Sequence, residues 1–153
     1  MTGPERPWSL PATVTSVTSK MAEQPQIRRL AGDPPSPWEL EFSFSRVVEA
    51  GPFVEIGGTT SVSRDGVVIG ESPYEQAREI FRKLLAELAR TGLTIESVTH
   101  THCYVTDISR SAEVGRAHGE VFGAVRPLFT MVEVSGLIDP RMLVEIELRA
   151  YRD

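Results

Sequence analysis

The chain is poor in cysteine, in positive charge and in long apolar segments. Its single cysteine, Cys103, has no partner for a disulfide within the chain, so nothing in the composition points to an oxidising compartment. The 153 residues include 16 basic and 21 acidic side chains, and a net charge of −5 does not suit a protein that neutralises nucleic-acid phosphates. No apolar run approaches the roughly 20 residues that a membrane span requires. We therefore expect a cytoplasmic protein that binds neither nucleic acid nor membrane.

The N-terminal part differs in composition from the rest of the chain. Residues 1–30 are rich in proline, serine and threonine, show no apolar period, and lack the apolar centre of a secretory signal. We predict that they form a flexible N-terminal extension. A chain of this length supports a single hydrophobic core, so we assign residues 31–153 to one domain.

The remaining sequence alternates between strand and helix periodicity. The clearest element is a helix within residues 71–93, where Ser72 and Glu75 have the spacing of a capping box and Gly92 ends the pattern. A second helix is predicted over residues 109–123, capped by Asp107 or Ser109. Strand patterns occupy residues 39–48, 52–63, 63–69, 96–107, 127–134 and 141–150. The order β-β-β-α-β-α-β-β predicts an α+β domain, a single mixed sheet with both helices on one face.

Strand alternation predicts that the second face of this sheet is left uncovered. The residues expected there are Phe44, His100, His102, Tyr104, Phe129, Met131, Glu133, Glu145 and Glu147. This mixture is too apolar for a solvent-exposed face and too charged for a core. We therefore expect the open face to take part in self-association around a partly hydrated cavity.

The segment THTHCYVTD, residues 99–107, raises the question of a metal site or a cysteine nucleophile. His100 and His102 share one strand face and could bracket a metal ion, or they could line a polar inner wall of an assembly. No third ligand stands at a readable spacing, so we predict no metal. Cys103 points away from both histidines and is expected to be a small core residue. His118 on the second helix is expected to be a surface or packing residue rather than a catalytic one.

Four motifs together resemble a known family. IGGTT, HCYVTDI, HGEVFG and RPLFTMVEVSGLIDPRMLVEIELRA are similar to the Rid family, the reactive intermediate deaminases also called the YjgF family, from about Trp38 to Arg152. The resemblance implies a chorismate-mutase-like protomer in a homotrimeric barrel, with small-molecule sites in the clefts between subunits and no cofactor. In active members, an arginine on the fifth strand binds the substrate carboxylate. A glutamate in the VEIE motif positions the water that hydrolyses an imine or enamine to a ketone and ammonia.

The resemblance places the catalytic glutamate at Glu145, but this chain has no arginine at the position of the family's substrate-binding arginine. Where active members read Pro-Ala-Arg, this chain reads Pro127-Leu128-Phe129. Other pocket positions also differ from the family pattern. The resemblance implies a substrate pocket formed by Phe44, Gly57, Gly58, Gly115, Phe129, Thr130 and Met131.

The loss of the arginine changes the expected substrate. An ionised carboxylate without a bidentate partner in a cleft would carry a desolvation cost of several kcal/mol. We therefore expect a hydrolase or deaminase for a neutral or aromatic enamine or imine, with Glu145 orienting water. With no cation nearby and with Phe129 and Met131 beside it, the pKa of Glu145 is predicted to be raised. The alternative is a non-catalytic trimer that binds a metabolite or a protein.

Overall fold

Six strands form one mixed sheet in the computed structural model, which describes residues 26–153. Their spatial order is β1-β2-β3-β6-β4-β5, and each neighbouring pair is antiparallel except the parallel pair β4 and β5. This architecture agrees with the predicted α+β class. The strands are β1 (Ile27–Leu30), β2 (Val47–Ala50), β3 (Phe53–Thr59), β4 (Val98–Val105), β5 (Leu128–Glu133) and β6 (Val144–Tyr151).

Two long helices cover one face of the sheet. Helix α2 spans Pro73–Arg90 and helix α3 spans Ser111–Phe122, after the short helix α1 (Pro37–Phe42). The predicted capping box of α2 is confirmed, because Ser72 accepts a hydrogen bond from the Glu75 N–H and the Glu75 side chain accepts one from the Ser72 N–H. The apolar stripe of α2 is fully buried against the strands. Its members are Ala77, Ile80, Phe81, Leu84 and Leu88.

The core lies between these helices and the sheet. Val144, Ile146 and Leu148 of β6 are buried, as the alternation predicted. Phe81 and Phe122 meet edge to face with ring centroids 5.3 Å apart, which joins the two helices. Burying a large apolar side chain of this kind stabilises a fold by roughly 1.5–3 kcal/mol. The core therefore fixes β6, the central strand that carries Glu145.

The first predicted strand is wrong over its first half, where helix α1 forms. Ser36 caps this helix, Pro37 takes its first position, and Glu39 completes a reciprocal capping box. The helix ends at Ser43, whose φ of 57° is left-handed. A capping box that starts at Ser36, three residues before the segment ELEFSF, thus overrides its alternating pattern, and the strand begins only at Val47.

Two further predictions about the strands need correction. The strand predicted over residues 63–69 is a turn with one isolated bridge between Val62 and Val68, and Gly66 has the left-handed φ of 76° that the turn signal indicated. The sheet still has six strands because β1 pairs with β2. The sheet therefore begins before the predicted domain boundary at residue 31. Residues 1–25 of the predicted extension lie outside the described residues.

The predicted facing of β5 is also wrong. Its parallel register sets Phe129 beside Thr101 and Met131 beside Cys103, and both β4 residues are fully buried on the helix side. Phe129, Met131 and Glu133 therefore face the helices, whereas Leu128, Thr130 and Val132 face the open side. Strand β5 forms the edge of the sheet and both its faces are partly exposed, so its apolar pattern does not reveal which face is inside.

The side chains of His100, His102 and Tyr104 lie on the open face of the sheet, as predicted for β4. The rings of His100 and His102 stack with centroids 5.5 Å apart, and His102 stacks on Tyr104 at 5.2 Å. Neither α2 nor α3 covers this face. Within residues 26–153 there is no helix with the length and apolar character that a membrane span demands.

Gln76 of α2 anchors the segment that leads into β6. Its side chain is buried and donates to the carbonyl oxygens of Gly70 at 3.1 Å and Arg141 at 2.9 Å. It also accepts a hydrogen bond from the Leu143 N–H at 2.8 Å. One buried amide therefore satisfies three backbone groups and fixes where β6 starts.

We expect Gln76→Leu to destabilise the fold by about 1–3 kcal/mol, because it leaves the three backbone groups without their partner. Urea unfolding measures the difference. The control is Arg82→Leu on the exposed side of the same helix, which loses only a surface ion pair with Glu79 and is expected to cost less than about 1 kcal/mol. Equal costs for the two variants would contradict the anchoring role.

Candidate active site around Glu145

Glu145 lies on the open face of β6, and its carboxylate occupies the space that a side chain at Gly58 would take. A Cβ built on Gly58 would stand 3.1 Å from the carboxyl carbon of Glu145 and would overlap its Oε1. The pairing of β3 with β6 is irregular between Ile56 and Thr59, so the glycine pair stands at a bulge. The absence of a side chain at Gly58 therefore leaves the space that the Glu145 carboxylate occupies.

The pKa of Glu145 is raised above its ordinary value. Burial of the partly covered carboxyl is the main cause, and the negative charge of Glu147 adds to it, whereas Arg46 acts in the opposite direction. The predicted direction and its main cause, loss of water around the carboxyl, agree with the structure, but the predicted neighbours do not. Phe129 and Met131 face the other side of the sheet, and a cation does lie nearby.

Arg46 is the site residue that the sequence did not reveal. Its Nη1 donates to the Gly58 carbonyl oxygen at 2.7 Å and contacts the Thr59 hydroxyl at 3.4 Å. Its Nη2 lies 3.4 Å from a carboxylate oxygen of Glu39, and its guanidinium carbon lies 5.6 Å from the ring centre of Phe44. The side chain is only 15% exposed. A charged residue directly before a buried strand was the signal available in the sequence.

A second group of predicted site residues lies around Phe129 on β5. Phe129 stacks on the imidazole of His118 with centroids 4.2 Å apart, and His118 Nε2 lies 2.9 Å from the Thr101 hydroxyl. Burial lowers the pKa of His118, which favours a neutral imidazole. Gly115, one turn earlier on α3, faces open space. The packing role predicted for His118 agrees with these contacts.

One protomer does not bring the predicted site residues together. Phe44, Gly57 and Gly58 lie on the Glu145 side of the sheet, and Arg46 joins them. Gly115, Phe129 and Met131 belong to the helix side, two strands away at the β5 edge. Thr130 faces the open side, where its hydroxyl lies 3.0 Å from His100 Nε2. A cleft that contains both groups requires a second subunit.

The remaining candidates around THTHCYVTD have structural roles. Among residues 26–153 there is no cluster of three or more histidine, cysteine or acidic side chains that could hold a metal. Cys103 is fully buried, and burial raises its pKa to about 12, so its thiol stays protonated. Asp107 caps the short turn before α3 by accepting from the Ser109 N–H at 3.0 Å.

Glu147 has a different partner from those considered for it. The Tyr104 hydroxyl donates to its carboxylate at 3.0 Å. Arg141 and Arg149, the two arginines considered for it from the sequence, pair with Asp139 and Glu55 instead. Glu147 also contributes to the wall of a shallow cavity of about 240 Å³ on the open face, together with Ser45, Arg46 and Gly57.

Comparison with known proteins agrees with this architecture. The model of the endoribonuclease L-PSP family matches residues 38–152. The chain belongs to this family, known also as Rid or YjgF. The resemblance noted in the sequence is thereby confirmed.

Individual relatives cover nearly the same range. An uncharacterized protein of Streptomyces coelicolor, SCO2049, is 43% identical over 76% of this chain and 87% of its own. The RutC family protein PH0854 of Pyrococcus horikoshii is 29% identical over 72% of this chain and 87% of its own. The crystal structure of Rv2704 from Mycobacterium tuberculosis, a YjgF/YER057c/UK114 family member, has a TM-score of 0.73 and 40% identity, covering 82% of this chain and 99% of that one.

We expect Gly58→Ala to displace the Glu145 carboxylate while the fold remains intact. The new Cβ meets the end of a flexible side chain, so the stability cost should stay below about 1 kcal/mol. The displaced carboxylate gains water, and its raised pKa should fall towards the ordinary value. NMR titration of the Glu145 carboxyl, together with thermal unfolding, measures both effects.

The matched control is Gly57→Ala. Its Cβ would lie 3.7 Å from the nearest atom, an ordinary contact, so the pKa of Glu145 should keep its wild-type value. A Gly58→Ala protein whose Glu145 titrates as in the wild type would show that the glycine does not determine the position of the carboxylate.

Proposed function

We propose that this protein is a cytoplasmic hydrolase or deaminase for a neutral or aromatic imine or enamine, and that Glu145 positions the attacking water. The observation that carries the proposal is the partly buried Glu145 carboxylate over Gly58 with a raised pKa. A general base works best when its pKa lies near the working pH, and an ordinary exposed glutamate is too weakly basic for that. Membership of the Rid family supports the same assignment.

The reaction balances with the groups present and water alone. The imine first takes a proton from solvent on its nitrogen, and an enamine reaches the same iminium by taking a proton on its β-carbon. Glu145 then takes a proton from water as the water oxygen bonds to the iminium carbon, which gives a neutral carbinolamine. Glu145 returns this proton to the nitrogen, and the hydroxyl proton leaves to solvent as the carbon–oxygen double bond forms and the carbon–nitrogen bond breaks. The products are a carbonyl compound and ammonia or an amine, and the carboxylate is regenerated without a cofactor.

The charges around Glu145 favour a substrate without a carboxylate. Glu39 and Glu147 add negative charge to this region, and Arg46 is the opposing cation. A protonated imine is the more reactive electrophile and is itself a cation, so a negative surrounding stabilises it. An anionic substrate would be repelled there, and Phe129 supplies no charge to bind it.

The active form is proposed to be a homotrimer with its small-molecule sites between subunits. Glu145 and Phe129 face opposite sides of the sheet, so a neighbour has to complete a cleft that contains both. Leu128 and Val132 on the open face of the edge strand are 69% and 40% exposed, an apolar surface that an interface would bury. His100 and His102 would line the inner wall.

Sedimentation velocity should show a species with three chain masses. Leu128→Glu is expected to shift it towards smaller species, because the new charge would be buried in the interface. The control is Val67→Glu, a similarly exposed valine in the loop between β3 and α2. A monomeric wild-type protein would contradict the intersubunit site.

Two imines prepared in the assay test the reaction and the substrate class. An amine oxidase converts benzylamine to an uncharged aromatic imine, and an amino-acid oxidase converts alanine to 2-iminopropanoate. The protein should accelerate release of ammonia from the aromatic imine and should act more slowly on the carboxylate. Glu145→Gln should lower the acceleration by about 10²–10⁴-fold, the usual contribution of a general base.

The control for this experiment is Glu55→Gln, which neutralises an exposed carboxylate on the same face and should retain the activity. Full activity of Glu145→Gln would exclude the proposed mechanism. A preference for 2-iminopropanoate would overturn the substrate class while leaving the role of Glu145 in place. Acceleration of neither imine would favour the alternative, a non-catalytic trimer that binds a metabolite or a protein.

A further inference from the structure

Arg46 connects helix α1 to the floor of the Glu145 site. Its Nη1 donates to the carbonyl oxygen of Gly58 at 2.7 Å, and Gly58 is the residue on which the Glu145 carboxylate rests. Its Nη2 faces Glu39 of α1 at 3.4 Å. The Arg46 guanidinium therefore contacts both the backbone of Gly58, next to the Glu145 carboxylate, and the carboxylate of Glu39.

Glu39 is held in place independently of Arg46. One of its oxygens accepts a hydrogen bond from the Gly32 N–H at 2.8 Å, and the other accepts from the Ser36 N–H at 3.1 Å. Burial raises the pKa of Glu39, but these two backbone donors and then Arg46 outweigh it, so the pKa lies below its ordinary value. Glu39 is thus a fixed negative charge with 5% exposure.

We propose that Arg46 is a positioning residue that acts as the counter-ion of Glu145, and that Glu39 limits how much of this positive charge reaches Glu145. The inference rests on the proposed role of Glu145. It adds a reason why α1 forms beside the site, since α1 carries the charge that holds Arg46 in place. It also assigns a role in the site to two residues that the family resemblance did not indicate.

The other groups around Glu145 do not supply an equivalent charge. Glu147, on the same strand, is negative and is bonded to the neutral phenol of Tyr104 on β4. On β3 the facing residues are the two glycines, which carry no charge. Arg149 on β6 pairs with Glu55 at 3.6 Å. Arg46 is therefore the cation that opposes the effect of burial on Glu145.

The two variants that test this inference should shift the pKa of Glu145 in opposite directions. Arg46→Gln removes the positive charge, so the carboxylate becomes harder to ionise and its pKa rises. Glu39→Gln removes the negative charge behind Arg46, so Glu145 feels more of the positive charge and its pKa falls. If the substitutions only loosened the fold, the pKa of Glu145 would move in the same direction in both variants, towards the pKa of an exposed glutamate.

The measurement is an NMR titration of the full chain labelled with ¹³C at the glutamate carboxyl carbons, with Glu145 assigned through Glu145→Gln. Arg46→Gln is expected to lower the acid dissociation constant of Glu145 about tenfold, the lower end of the effect of a nearby charge. Arg46→Lys retains a cation and should lie between this variant and the wild type. The control is Arg149→Gln, which removes a charge from the same sheet face and should produce a much smaller shift.

The titration separates this inference from the proposed function, because it reports on the carboxyl group whether or not an imine is hydrolysed. If turnover is found, its rate should rise with pH as Glu145 ionises, and Arg46→Gln should move that rise to higher pH. A shift in Arg46→Gln no larger than in Arg149→Gln would overturn the inference. So would a rise in the pKa with Glu39→Gln, and that variant decides the matter should Arg46→Gln fail to fold.

Discussion

The close approach of the Glu145 carboxylate to the backbone of Gly58 is the contact on which the site depends. Glu145 lies on β6, between β3 and β4. Its carboxylate packs against Gly58 of β3, which has no side chain. Removal of a carboxylate from water normally favours its protonated form. The guanidinium of Arg46, which donates to the carbonyl oxygen of the same glycine, opposes part of this effect. Gly58 therefore determines both the position of the Glu145 carboxylate and its closeness to the Arg46 guanidinium.

Elements with a strong local signal were predictable from the sequence. Helix α2 has both a capping box and an unbroken apolar stripe, and β4 and β6 alternate cleanly because one face of each is fully buried. Helix α1 has the same capping signal at Ser36 and Glu39, but only six residues and few buried side chains, so an alternating apolar pattern concealed it. The physical difference is burial. The apolar pattern of a segment predicts its secondary structure when one of its faces packs in the core.

The sequence predicted candidate site residues but not how the fold arranges them. Glu145 and Gly58 were both identified, whereas the contact between them depends on an irregular β3–β6 register that no sequence pattern encodes. The facing of Phe129 and Met131 failed because an edge strand exposes both faces. Arg46 was missed because its partners, Gly58 and Glu39, are separated from it by 12 and 7 residues and meet it only in the folded chain.

The position of the charge near Glu145 also bears on what the site can bind. A guanidinium binds a substrate carboxylate when its paired N–H groups are free to form a bidentate contact. In Arg46, Nη1 is already bonded to Gly58 and Nη2 faces Glu39, and Phe44 lies over the group. The Nη1 and Nη2 atoms of Arg46 therefore both face groups of the protein, and its positive charge reaches Glu145 through the field it creates.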